Sequence, residues 1–117
     1  MEPMNLLFIM SDEHSVKASG CYGHPIVKTP NIDRLAASGT RFENAYTNCP
    51  ICTPARAGFA TGRYIHEIGN WDNAHPYMGE VPSWGHRLQD NDVPVISIGK
   101  LHYRNTEDPT GFDEQVV

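Results

Sequence analysis

The sequence predicts an α/β fold, and two apolar runs with a helix between them carry the prediction. Residues Asn5–Met10 form a short, nearly continuous apolar run, which is typical of a strand buried on both faces of a parallel sheet. Residues Val93–Gly99 form a second such run, and residues Thr29–Gly39 have a helical pattern. Strands that alternate with helices define the α/β class.

The first strand and the first helix have recognisable ends. The apolar run stops at the polar segment Ser11–His14, and open α/β sheets bind ligands at the carboxyl ends of their strands. In the helix, Thr29 is a candidate cap, Pro30 suits the first turn and Gly39 can end it. We therefore expect polar chemistry to follow the first strand.

The remaining elements follow in the order strand, helix, helix, strand. Residues Arg41–Tyr46 alternate enough to form a second strand. A helix is expected just past Cys52, over Ala55–Ala60, and another over Pro82–Gln89. The run that begins at Val93 is the third strand and completes the order β-α-β-α-α-β.

Length and composition limit the class of protein. The 117 residues have the length of one domain, and 39% of them are hydrophobic, which is ordinary for a globular protein. The net charge of -5, without any basic run, argues against a nucleic-acid partner. No apolar stretch approaches the roughly 20 residues that a membrane span needs.

The two ends of the chain and its cysteines add three expectations. Residues Met1–Met10 lack the basic start and cleavage site of a secretory signal, which predicts a cytoplasmic location. Three cysteines are an odd number and too few for a disulfide framework. Residues 111–117 stop without a terminating element, so we expect the chain to be the N-terminal part of something longer.

The most informative segment is the run Cys52–Arg63, with Cys52 near the start of a predicted helix. Unpaired N–H groups at a helix N-terminus stabilise negative charge and can bind a sulfate or phosphate oxygen. Arg56, one turn further on, can reach back and add positive charge. Spacing alone leaves two other interpretations open: an inert buried thiol, or a redox pair with Cys49, because Cys49–Cys52 is a CxxC motif.

This run resembles the signature of the type I sulfatases, Cys-x-Pro-Ser/Ala-Arg followed by Thr-Gly-Arg. The resemblance continues, in the order of that family, through five further segments: Asn5–Asp12, Gly20–His24, Thr29–Ala36, Gly39–Tyr46 and Gly99–His102. It implies an alkaline-phosphatase-like α/β/α sandwich with a mostly parallel central sheet. Residues 1–117 would be the N-terminal part of its catalytic domain.

The resemblance also implies a reaction. In sulfatases a formylglycine-generating enzyme oxidises the cysteine that matches Cys52. The hydrate of the resulting formylglycine attacks the sulfur of a small-molecule sulfate ester, and the alcohol leaves. The second hydroxyl of the hydrate then loses its proton, which expels sulfate and restores the aldehyde. By the same resemblance Arg56 and Lys100 would balance negative charge and His102 would move protons. Lys100 and His102 are expected on one face of the strand end, because residues i and i+2 of a strand point the same way.

A divalent metal, most often Ca²⁺, belongs to the same implied site. The resemblance assigns Asp12 and the modified Cys52 as ligands, with Glu13 as a further candidate where many sulfatases carry a second aspartate. Hard oxygen ligands suit calcium. Further family ligands come from positions much later than Val117.

Ala55, in the Cys-x-Pro-Ala-Arg form of the motif, resembles the choline-sulfatase and phosphonate monoester hydrolase branches, and the segments Trp71–Ala74 and Val81–Leu88 resemble the choline-sulfatase side. Two alternatives to sulfate ester hydrolysis remain open. The same nucleophile could hydrolyse phosphonate monoesters or phosphodiesters, or the chain could be a non-catalytic remnant.

Of the histidines, His14 and His75 are the ones expected near the pocket. A homo-oligomer is possible, and neither nucleic acid nor membrane is expected as a partner.

Overall fold

The structure is a computed structural model that describes residues 4–116. Its helices and strands are α1 (Pro30–Ser38), α2 (Cys52–Thr61), α3 (Ile65–Ile68), α4 (Trp84–Gln89), β1 (Ile96–Ile98) and β2 (Glu114–Val116). Two 3-10 turns, Val16–Ala18 and Gly20–Tyr22, precede α1. The chain divides into two compact units, Met1–Ala45 and Tyr46–Val117. Over the described residues, we find no helix with the length and apolarity to cross a membrane.

The first unit is held together by Asp33 on α1. Its Oδ1 accepts hydrogen bonds from the backbone N–H of Cys21 at 2.7 Å and from the hydroxyl of Thr29 at 2.7 Å. A Cβ on Gly20 would lie 2.6 Å from the Asp33 carboxylate, so only glycine allows this close approach. Thr29 occupies the cap position but makes no capping hydrogen bond. The predicted helix and the cap position of Thr29 are therefore confirmed, although the Thr29 hydroxyl bonds to Asp33 instead of a backbone N–H of the first turn.

Two predicted strands do not form. Residues 5–10 and 41–46 adopt no strand, and their apolar side chains are exposed, with Leu6 at 87% and Tyr46 at 90%. A strand needs a neighbour that accepts and donates its backbone hydrogen bonds. The described residues form one ladder only, between β1 and β2, so the apolar patterns have no sheet to join.

The second unit is built around α2, whose buried face forms the core. Ala57 and Ala60 are 0% and 1% exposed and pack with Tyr77, which is 1% exposed. The half-buried side chains of Ile68 and Tyr103 pack against this cluster. The short side chains on α2 allow the aromatic rings to approach the helix closely, which fixes the surrounding loops on it.

Helix α4 begins at Trp84, two residues later than predicted. The hydroxyl of Ser83 accepts the backbone N–H of His86, and the His86 ring bonds back to the Ser83 N–H, which forms a capping box. Trp84 packs edge-to-face between Phe59 and Phe112, at ring-centroid distances of 5.9 and 5.5 Å. These contacts join α2, α4 and the segment before β2.

The two strands of this unit pair in parallel. Ile96 lies opposite Glu114 and Ile98 opposite Val116. The predicted third strand is thus confirmed only over its last part, 96–98. Sequence reasoning assigned no element after residue 111, and the structure adds one there, because Glu114–Val116 forms β2.

Candidate active site

Cys52 is the first residue of α2, at the point where the unpaired N–H groups of the helix begin. Ile51, in the cap position, is extended (φ -117°, ψ 138°) and its side chain cannot cap the helix. The Cys52 side chain is half-buried, whereas Thr53 is fully buried. The predicted placement of the cysteine at a helix N-terminus is therefore confirmed.

Asn73 makes the contacts that Ile51 cannot make. Its Oδ1 lies 3.1 Å from the backbone N of Thr53 and 3.4 Å from Sγ of Cys52, and it accepts a hydrogen bond from each. Sequence reasoning missed this residue and read Trp71–Ala74 only as a family resemblance. The apolar Ile51 at the cap position was the available signal, because an uncapped helix needs an acceptor from elsewhere.

Arg56 links α2 to the end of β1. The side chain is 8% exposed, and its guanidinium donates a hydrogen bond to the backbone carbonyl of Lys100. Burial raises the pKa of the neighbouring Tyr103 well above its usual range, Tyr77 raises it further, and the positive charge of Arg56 opposes both. Arg56 is thus a buried cation near Tyr103. Its predicted action on residue 52 stays a prediction.

Lys100 and His102 follow β1, but not as the strand argument predicted. The strand ends at Ile98, and Gly99 and His102 have left-handed backbones with φ of 87° and 60°. The alternation of side chains along a strand therefore does not reach these residues, and that reason for a shared face is wrong. Lys100 is exposed and His102 is half-buried.

His102 has two features that functional residues often show. A left-handed backbone at a residue other than glycine costs about 1 kcal/mol or more. Its Nδ1 is buried and has no hydrogen-bond partner among residues 4–116. A buried nitrogen that lacks a partner is costly in a finished structure, so His102 suits a site that a further group completes.

The proposed metal ligands Asp12 and Glu13 lie in the first unit, in a turn after the apolar run. Both side chains are exposed, and Glu13 has a left-handed backbone (φ 56°). In the part of the chain that the structure describes, no three His, Cys, Asp or Glu side chains group in a way that could hold a metal ion. The carboxylates are hard donors that fit calcium, but calcium takes about six to eight oxygens. The described residues therefore supply at most part of a ligand set.

The cysteines form no disulfide among the described residues, and His14 and His75 each bond to a nearby side chain. Cys21, Cys49 and Cys52 are all free thiols. His14 bonds to the hydroxyl of Ser19 at 2.8 Å, and His75 bonds to Asp72 at 2.8 Å. Of the two histidines expected near the pocket, His75 shares a loop with Asn73, the residue that contacts Cys52.

Comparison with known proteins identifies the family. The Sulfatase family profile matches residues 4–116. The N-acetylglucosamine-6-O-sulfatase of Bacteroides thetaiotaomicron is 38% identical over 109 residues, which cover 93% of this chain and 19% of that protein. The choline-sulfatase of Rhizobium meliloti is 32% identical over 97% of this chain and 22% of its own length. The chain therefore belongs to the sulfatase family, as its motifs predicted.

A solved structure supports the same conclusion. It is described as BT4656 in complex with its substrate D-glucosamine-2-N,6-O-disulfate, and it superposes on this chain with a TM-score of 0.88 at 38% identity. The match covers 95% of this chain and 22% of that one. The predicted alkaline-phosphatase-like α/β class is thereby confirmed. The chain spans about a fifth of the length of the curated relatives that it matches.

The predicted branch is not singled out by these relatives. The choline-sulfatase is one of several sulfatases similar to the chain, at identities between 32% and 48%. The features around Ala55 and Trp71–Ala74 therefore establish no branch within the family.

Proposed function

We propose that the protein to which this chain belongs hydrolyses a sulfate ester, with residue 52 as its nucleophile after conversion of Cys52 to formylglycine. The chain would form the N-terminal part of the catalytic domain. The observation that carries the proposal is the position of Cys52, at the first residue of a buried helix within a sulfatase-family sequence. A formylglycine hydrate would supply an oxygen nucleophile for sulfur and a second hydroxyl for sulfate release.

The residues of the second unit have distinct tasks in this proposal. The first turn of α2 directs N–H groups toward anionic oxygen near residue 52. Arg56 carries a fixed positive charge one turn further along α2, and its guanidinium donates a hydrogen bond to the carbonyl of Lys100. The Lys100 ammonium balances the charge of the sulfate, and His102 takes or returns a proton.

The metal belongs to the same proposal. Asp12 and residue 52, with Glu13 as a further candidate, would contribute oxygen ligands, and residues outside the described segment would complete the set. A divalent cation, for which we propose Ca²⁺, would polarise a sulfate oxygen when bound.

A small sulfated ester is the substrate class that the relatives favour. The solved relative is described with a disulfated glucosamine as its substrate. We propose a sulfate ester, not a phosphonate, because the similar proteins named above are sulfatases. Parallel kinetics with an aryl sulfate and a phenyl phosphonate ester would test this preference, and faster phosphonate hydrolysis would contradict it.

The decisive experiment is the mass of the tryptic peptide Phe42–Arg56, from protein co-expressed with a formylglycine-generating enzyme. We expect aldehyde in place of the Cys52 thiol and an unmodified Cys49 in the same peptide. Cys49 serves as an internal control, because both thiols experience the same handling. An unmodified Cys52 under these conditions would reject the proposed nucleophile and favour a non-catalytic remnant.

A further inference from the structure

We propose that Asn73 is a positioning residue for the nucleophile: its side-chain oxygen holds residue 52 and the first turn of α2 in one orientation. This inference rests on the proposed function, because it gives Asn73 a role toward the residue that we propose as nucleophile. Asn73 lies 21 residues after Cys52, on the loop between α3 and α4.

Two donors converge on one atom of Asn73. The Thr53 N–H and the Cys52 thiol both donate to Oδ1, at 3.1 and 3.4 Å. A rotated amide would direct its NH₂ group at the Thr53 N–H, so the pair of contacts requires the oxygen in this place. Because a hydrate hydroxyl is also a hydrogen-bond donor, Oδ1 can accept from residue 52 before and after conversion.

The hydrogen bond from the Thr53 N–H to Asn73 also affects residue 52, because it uses an N–H group of the same helical turn. The Thr53 N–H belongs to the first turn of α2, which has no intrahelical partner for its N–H groups. Asn73 occupies this N–H and places an acceptor oxygen beside the sulfur. Both contacts hold the side chain of residue 52 and the first turn of α2 to the same oxygen atom.

The loop that carries Asn73 is closed by other side chains. Asn70 is 7% exposed and donates to the carbonyl of His75 at 2.9 Å. The Asp72 carboxylate accepts the Ala74 N–H and bonds the His75 ring, each at 2.8 Å. Asn73 itself is exposed. Replacing it therefore leaves the hydrogen bonds of the loop in place, and we expect its variants to fold.

The test compares Asn73→Ala and Asn73→Asp in the full protein, produced without the converting enzyme and with Cys49→Ala as background. The probe is iodoacetamide at neutral pH, followed on the peptide Phe42–Arg56. We expect Asn73→Ala to raise the alkylation rate of Cys52 about fivefold, the equivalent of one hydrogen bond. Asn73→Asp should leave that rate close to the wild-type value, because a carboxylate oxygen can accept the same two hydrogen bonds.

A faster rate in Asn73→Ala but not in Asn73→Asp distinguishes positioning from a structural role. A loop that merely loosens would expose Cys52 in both variants and raise both rates. The control variant is Asn91→Ala, since Asn91 is an exposed asparagine that bonds the Arg87 carbonyl at 2.8 Å. Equal changes in the two Asn73 variants, or changes no larger than in Asn91→Ala, would overturn the proposal.

The converted enzyme gives a second measurement. We expect Asn73→Ala to lower kcat about tenfold with little change in KM, because a nucleophile that is held less firmly reacts more slowly at equal binding. A raised KM at constant kcat would contradict the role. The alkylation comparison uses unconverted thiol, so an inactive wild-type enzyme would reject the proposed function alone.

Discussion

Cys52 illustrates how much chemistry one position in a helix provides. As the first residue of α2 it lies where N–H groups have no intrahelical partner. Its position follows from local sequence, because Pro54 suits a first turn and the small residues after it suit a helix packed in the core. The partner of this turn, Asn73, could not be read from local pattern, since it lies 20 residues from Thr53.

At the residue scale we predict that Cys52→Ala abolishes turnover of a sulfate ester and leaves the fold intact. The reason is that alanine cannot be converted to the nucleophile, whereas the half-buried side chain contributes little to the core. Steady-state kinetics and circular dichroism of the full-length protein would measure both effects.

The matched control for this variant is Cys49→Ala. Cys49 is a half-buried thiol of the same CxxC motif, and the proposed reaction does not use it. We expect this variant to keep most of the activity. Substantial turnover by Cys52→Ala would rule out Cys52 as nucleophile, and equal loss in both variants would favour the redox-pair interpretation.

At the scale of elements, helix α4 depends on Gly85 against general helix preference. Alanine is favoured over glycine within helices by about 1 kcal/mol. A Cβ at position 85, however, would overlap the backbone carbonyl of Gly111. Gly111 itself has φ of 90° and lies against Ser83 and His86. The backbone at Gly111 therefore cannot shift to make space for a side chain at position 85.

We predict that Gly85→Ala lowers the free energy of unfolding by about 2 kcal/mol or more, the cost of overpacking. Urea denaturation of the protein would measure it. The matched control is Gly39→Ala, where the new Cβ meets only the Leu35 carbonyl at 3.3 Å. A Gly85→Ala protein as stable as the wild type would show that α4 does not pack on residue 111.

The carboxylate of Asp113 links α4 to the segment that leads into β1. Asp113 accepts the backbone N–H of Val95 at 2.6 Å and the side-chain amide of Gln89 at 2.8 Å. The first of these bonds, and then the second, lower the pKa of Asp113. A lowered folded-state pKa means that this stabilisation is present above the unfolded value of about 3.9. It is lost as the pH falls through the lower folded value.

We therefore predict that backbone amides in β1 lose hydrogen-exchange protection as the pH falls below about 3.9. Asp113→Asn should weaken protection at neutral pH and remove this acid dependence, because the amide keeps the shape but does not titrate. Asp90→Asn is the matched control, since its carboxylate makes only a long, exposed contact with Arg87 at 3.8 Å. Unaltered acid dependence in Asp113→Asn would contradict the assignment.

The missing strands show the limit of periodicity at this scale. The apolar runs at 5–10 and 93–99 read alike, yet only 96–98 forms a strand, because residues 114–116 lie beside it. A strand is a property of two segments, whereas a helix bonds within itself. This is why α1 and α2 were predicted well and the sheet was not.

At the scale of the whole molecule, the bound metal tests the proposed role of Asp12. We predict that Asp12→Ala in the full-length protein lowers the bound calcium to well below that of the wild type, as measured by elemental analysis. The reason is the loss of a hard, charged oxygen ligand from a site that needs several. The control is Asp90→Ala, since Asp90 is an exposed aspartate whose carboxylate lies 3.8 Å from Arg87.

An unchanged metal content in Asp12→Ala would remove Asp12 from the ligand set. The same comparison on Glu13→Ala would decide whether the second carboxylate takes part. The cytoplasmic location and the oligomeric state also belong to this scale, and both stay predictions.

The sequence by itself determined the family, the α/β class and the helix that begins at Cys52, because these follow from short motifs and from hydrogen bonds within one segment. The tertiary structure alone decided that Asn73 caps α2, that Arg56 binds the carbonyl of Lys100, and that residues 114–116 pair with β1. Thr53 and Asn73 are 20 positions apart in the chain. Arg56 and Lys100 are 44 positions apart, and Ile98 and Val116 are 18 positions apart. No local pattern specifies these contacts, because each forms only when the core around Ala57 and Tyr77 brings the segments together.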